Sequence, residues 1–128
     1  MMHRRQLLSI AAAAAVVAST RMSFAAAMTL AEIEAEIAKG GPVFIHVTAP
    51  WCGTCKIQKP IVAELLANPH FKDLKKIDVD FDSQGDVLKA FRVQTQATML
   101  VFKNGKEVDR AVGETSREGI AEFFEKVV

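Results

Sequence analysis

Cys52 and Cys55 are the only cysteines in this 128-residue chain, and they stand three residues apart in the stretch VFIHVTAPWCGTCK, which runs from Val43 to Lys56. On a helix, that spacing puts two thiols one turn apart on one face, where they can close a disulfide with little backbone movement. A thiol at the start of a helix meets backbone N–H groups that have no internal partner, and the positive end of the macrodipole, so its thiolate is favoured. The same pair could instead be inert packing residues or hold a metal ion. A structural zinc site wants four ligands, and the chain has no second C-x-x-C and no paired histidines. A soft ion such as Cu(I) or Zn²⁺ held by the two sulfurs alone stays open as the non-enzymatic alternative, although from Ala26 on only Met28, Met99, His46 and His70 could assist it. Asp78, Asp80 and Asp82 have the spacing of a calcium loop, but Ser83 and Lys89 stand where that loop needs glycine and glutamate. No resident metal or cofactor is expected.

Around the cysteines the hydrophobic pattern predicts the elements that position them. Thr29 and Glu32 form a capping box for a helix with Leu30, Ile33 and Ile37 on one face, and Gly40-Gly41 ends it. Val43–Val47 reads as a strand buried on both faces, apolar except for His46. The cysteine helix is expected to reach about Ala67, with Ile57, Ile61 and Leu65 on its buried stripe, Val62 and Leu66 beside them, and a kink at Pro60. Lys76–Phe81 alternates as a strand with Ile77, Val79 and Phe81 inward, and Ser83 with Asp86 caps a short helix bearing Val87, Leu88 and Phe91. Thr98–Phe102 and Glu107–Val112 form a hairpin about Asn104-Gly105, and Thr115 with Glu118 caps a last helix that buries Ile120, Phe123, Phe124 and Val127. The order α-β-α-β-α-β-β-α describes an α/β domain with two parallel strands, an antiparallel hairpin and helices on both faces.

Half of the composition is apolar, enough for one globular domain with a core. The formal charge of +1 comes from the N-terminus, where Arg4, Arg5 and Arg21 face no acidic residue. Without those three arginines the chain carries 13 basic and 15 acidic residues, so no basic surface is expected for nucleic acid or anionic lipid. Residues 1–27 read as an export signal: a charged start, an alanine-rich apolar run from Leu7 to Ala18, and a cleavage site near Ala25 to Ala27. The run is too short to span a bilayer, which takes about 20 residues. His3-Arg4-Arg5-Gln6-Leu7-Leu8 resembles a twin-arginine signal, although an ordinary secretory signal fits as well. The domain expected outside the cytoplasm is then residues 28–128, in a periplasm where a C-x-x-C pair is a working couple.

Trp51-Cys52-Gly53-Thr54-Cys55-Lys56 resembles the active site of the thioredoxin superfamily, and the element order resembles its fold over essentially all of residues 28–128. The opening edge strand of full-length members is missing or vestigial, leaving a mixed sheet of about four strands flanked by helices. The resemblance implies a thiol–disulfide oxidoreductase that is a monomer. Cys52 would attack a target disulfide and Cys55 would resolve the mixed disulfide, with Trp51 shaping the docking surface. Protein disulfides or dithiols are the implied partners, with a membrane thiol carrier as electron source if the direction is reductive; an oxidase or isomerase is the alternative. Gly53-Thr54 stands where cytoplasmic members have glycine-proline, so Thr54 restores a backbone N–H and is expected to make the couple less reducing. His46 replaces the family's buried aspartate six residues before the first cysteine, and could take the Cys55 proton or merely fill the core. Lys76 matches a lysine near that aspartate and would keep His46 neutral. Ala97 stands where the family has a cis-proline facing the dithiol, so its peptide bond is expected to be trans, in a more open loop that exposes the sulfurs to a thiophilic ion.

Overall fold

A computed structural model provides the structure and describes residues 27–128. The export signal read over residues 1–27 lies, apart from its last residue, outside the described residues. Helix α1 (Leu30–Ala38) begins at Thr29, whose hydroxyl oxygen accepts from the Glu32 N–H while the hydroxyl donates to the Glu32 carboxylate. Strand β1 (Val43–Thr48) follows, and helix α2 (Gly53–Leu66) starts with Cys52 as its cap. A short 3₁₀ turn (Pro69–Phe71) leads to strand β2 (Lys75–Asp80) and helix α3 (Gly85–Ala90). Strands β3 (Thr98–Lys103) and β4 (Lys106–Val112) make the hairpin, with Asn104 and Gly105 both at positive φ as a two-residue turn of this type demands, before helix α4 (Arg117–Glu125). Among the described residues no strand precedes α1.

The sheet runs β2-β1-β3-β4, with β1 parallel to β2 and antiparallel to β3. Its register puts His46 between Asp78 on one side and Met99 on the other. Alternation along β1 separates two apolar layers. Ile45 and Val47 join Ile33 and Ile37 of α1, Val87 of α3, Ile77, Val79, Leu100 and Phe102. Phe44 faces the other way, among Val62 and Leu65 of α2, Met99, Val101, and Ile120, Phe123 and Phe124 of α4. Helices therefore cover both faces of a four-stranded mixed sheet, which is the thioredoxin fold.

Several local expectations need correction. The buried stripe of α2 is Cys55, Gln58, Val62 and Leu65, while Ile57 is 54% exposed. The stripe is rotated because the helix starts by aiming Cys55 inward, and every third or fourth residue after it follows. Pro60 lies inside this helix, which runs on to Leu66, and is exposed. Ser83 donates to Asp80 rather than capping α3; Gln84 occupies the cap position without a side-chain cap bond. The α4 cap is Ser116, which accepts from the Gly119 N–H, and not Thr115. Phe81 falls just past β2, half-buried, its ring turned toward the cysteines.

Candidate active site

Strand β1 delivers the chain to a turn in which the Cys52 N–H donates to the Ala49 carbonyl at 3.1 Å. Cys52 then takes an extended backbone, φ −81° and ψ 110°, and its sulfur accepts from the Cys55 N–H at 3.1 Å. The sulfur occupies the place of a serine or aspartate oxygen at a helix cap. Cys52 and Cys55 are joined in a disulfide with Cα atoms 5.3 Å apart, inside the usual range. Once the bond is reduced, the same N–H and the helix terminus stabilise negative charge on Cys52. Opposing this is an apolar lining of Ala49, Ala97 and Phe81 that leaves Cys52 1% and Cys55 0% exposed. Cys52 alone has the donor, so the asymmetry between the two thiols is set by α2.

Trp51 is 57% exposed beside this lining. Its indole N–H donates to both carboxylate oxygens of Asp82, at 3.1 and 2.9 Å, and its ring meets Phe81 edge-on at 6.2 Å. The sequence marked Asp82 only through the rejected calcium-loop spacing; its bond to Trp51 went unread because the two lie 31 positions apart. Gly53 and Thr54 form the first turn of α2, where backbone N–H groups have no helical partner. A Cβ on Gly53 would meet nothing within 4 Å, so glycine is not required there for space.

His46 is fully buried on the α2 side of the sheet, stacked on Phe44 with ring centroids 5.5 Å apart. Its Nε2 lies 2.8 Å from Oε1 of Gln58, which stands one turn after Cys55 on the same buried face of α2. Gln58 is the second residue that sequence reasoning missed. The amide nitrogen of Gln58 donates to the carbonyls of Ala97 at 3.3 Å and Glu114 at 2.9 Å. His46 Nδ1 is the one buried side-chain nitrogen or oxygen without a partner among the described residues. Leaving such a group unpaired costs about 1–3 kcal/mol. Burial pushes the His46 imidazole below its ordinary value, against smaller upward pulls from Gln58 and Asp78; Lys76 and Lys59 add to the depression. Lys76 is among the smaller of these influences, with its ammonium 3.3 Å from Asp78.

Ala97 is packed against both cysteines and 3% exposed, so the loop closes on the dithiol instead of standing open. No peptide bond among the described residues is cis, and Ala97 sits at φ +60°, a left-handed conformation unusual for alanine. Its N–H donates to the Val47 carbonyl at 2.8 Å, and its carbonyl accepts from Gly113 at 3.0 Å as well as from Gln58. Proline would lose that N–H and could not reach that φ. The structure thus brings together Cys52, Cys55, Trp51, Gly53, Thr54, His46 and Ala97, and leaves Lys76 on the strand rim. No cluster of three or more histidine, cysteine, aspartate or glutamate side chains fit for a metal occurs among the described residues, and no helix among them is long and apolar enough to cross a membrane.

The thioredoxin family model matches residues 24–126 of the chain. Thioredoxin 1 of Synechococcus elongatus is 32% identical over 106 residues, which are 82% of this chain and 98% of that protein. Thioredoxin of Chlamydia trachomatis is 37% identical over 87 residues, 67% of this chain and 82% of its own length. Among solved structures, Trxlp from Edwardsiella tarda superposes with a TM-score of 0.73 at 38% identity, covering 77% of this chain and 95% of that one. The oxidised thioredoxin from Plasmodium falciparum superposes at 0.67 with 26% identity, covering 77% and 91%.

Proposed function

Because this chain belongs to the thioredoxin family and is a thiol–disulfide oxidoreductase, we propose that it reduces disulfides of exported proteins, with Cys52 attacking and Cys55 resolving. The observation that carries the assignment of roles is the cap of α2, where the Cys52 sulfur alone accepts a backbone N–H. In the reduced protein the Cys52 thiolate attacks one sulfur of the target disulfide, a Cys52–target bond forms, and the target's other sulfur leaves as a thiolate that takes up a proton. Cys55 then gives its proton to Nδ1 of His46, directly or through one water, and its thiolate attacks Cys52. The target's second sulfur departs and is protonated in turn, and the Cys52–Cys55 disulfide remains. Two electrons have passed from dithiol to target.

Direction and place rest on the N-terminal segment. Arg4-Arg5 and the alanine-rich run support export to a periplasm, where a reductant must draw electrons from elsewhere; a membrane thiol carrier is the class of donor that fits. The equilibrium redox potential of the purified protein tests the direction. A value within about 60 mV of −270 mV supports a reductase, whereas one near −120 mV assigns an oxidase.

A further inference from the structure

The amide of Gln58 has no freedom in how it faces. Its two neighbours Ala97 O and Glu114 O are carbonyl oxygens, which can only accept, so the amide nitrogen points to them and the oxygen points to His46. That oxygen carries no proton, so the 2.8 Å contact requires the hydrogen to be on Nε2 of His46. Nδ1 is then an unprotonated lone pair, buried and unpartnered. A proton arriving at Nδ1 leaves the Nε2–H bond to Gln58 intact, whereas the opposite tautomer would set a nitrogen lone pair against the amide oxygen. Cys55 lies one turn before Gln58 on the same buried face of α2, and the charged groups that act on the imidazole are Lys59 from α2 and Asp78 and Lys76 from β2. Its cross-strand neighbour on β3 is Met99 and its stacking partner is Phe44, neither of which carries charge.

We infer that Gln58 is a positioning residue for the resolving step: its amide, anchored on two backbone carbonyls, holds His46 in the Nε2–H tautomer and reserves Nδ1 as the one atom through which a proton can enter the buried layer between α2 and the sheet. This rests on the reading of His46 as acceptor of the Cys55 proton. Gln58 touches neither sulfur nor target, and acts through the ring it orients.

The test uses the full chain labelled with ¹⁵N at histidine, together with rapid-mixing kinetics that separate attack from resolution. The wild type is expected to show neutral His46 with the proton on Nε2; a proton on Nδ1 overturns the inference at once. Gln58→Met keeps length without hydrogen bonds. It should admit a measurable share of the Nδ1–H tautomer and slow resolution about tenfold, the lower end for loss of a group that orients a reacting one, with attack unchanged within about twofold. Gln58→Glu keeps an acceptor for Nε2–H but gives up the amide's donors to the Ala97 and Glu114 carbonyls, and sets a carboxylate beside the ring. It should raise the pH midpoint of resolution by at least about one unit. Should the methionine variant fail to fold, the wild-type tautomer and the glutamate pH profile still decide. Wild-type tautomer, rate and pH midpoint in both variants would reduce Gln58 to packing. His46→Leu separates the two ideas: slowed resolution there, with unaffected Gln58 variants, keeps His46 as acceptor and removes Gln58, while an unaffected His46→Leu removes the acceptor reading itself.

Discussion

His46 shows what one buried titratable residue does to a fold. In the unfolded chain its imidazole binds a proton near the ordinary value of 6.5, whereas in the folded chain burial holds it lower. Between those two values the unfolded state binds more protons, so stability from this residue is fully retained above the ordinary imidazole range and is lost as pH falls below it. The slope approaches about 1.4 kcal/mol per pH unit for one proton. Denaturant midpoints at pH 7 and pH 5 should therefore fall more for the wild type than for His46→Gln, which removes the proton site and leaves the other groups as they are. Equal losses in the two proteins would show that His46 is not held neutral by the fold. The residue was conspicuous in the sequence as the one polar side chain in an apolar strand. Gln58 was not, since a glutamine on a helix reads as solvent-facing until its neighbours are known.

Helix α2 and the loop before β3 carry the chemistry, and each makes its own prediction. Thr54 supplies an N–H in the first turn of α2 that a proline would lack. Thr54→Pro should destabilise the reduced thiolate form and make the couple more reducing by roughly 30 mV, equivalent to about 1.4 kcal/mol, measured by equilibration with glutathione. A change toward a more oxidising couple would show that this N–H does not act on the sulfur. At position 97 the chain uses the backbone N–H and a φ of +60°. Ala97→Pro should accordingly cost about 3 kcal/mol or more in denaturation, because it breaks the bond to Val47 and forces the loop out of its conformation. Wild-type stability in that variant would mean the loop accepts a different path. Element identity and order were readable from hydrophobic period and turn residues. The buried face of α2 was not, because two effects run against binary patterning: Gln58 is inside, satisfied by three partners, and Ile57 is outside. The caps of α3 and α4 slipped by one residue for a similar reason. Adjacent polar residues such as Ser83 and Gln84, or Thr115 and Ser116, are near-equal candidates until tertiary contacts choose between them.

At the scale of the whole molecule, the sheet is built so that its two apolar layers meet at β1, and the dithiol stands at the end of that strand. The proposed export would decide which disulfides the site meets. Mass spectrometry of the protein from its host is expected to find a mature N-terminus near Ala26 or Met28, and a full-length cytoplasmic protein would contradict the periplasmic assignment. The most direct test of the central claim is to trap the intermediate. Full-length Cys55→Ser, reduced and mixed with a disulfide-bonded protein such as insulin, should accumulate a covalent adduct that reducing agent releases and that peptide mapping places on Cys52, whereas Cys52→Ser should accumulate none. An adduct formed through Cys55 in Cys52→Ser, with none through Cys52 in Cys55→Ser, would contradict the account.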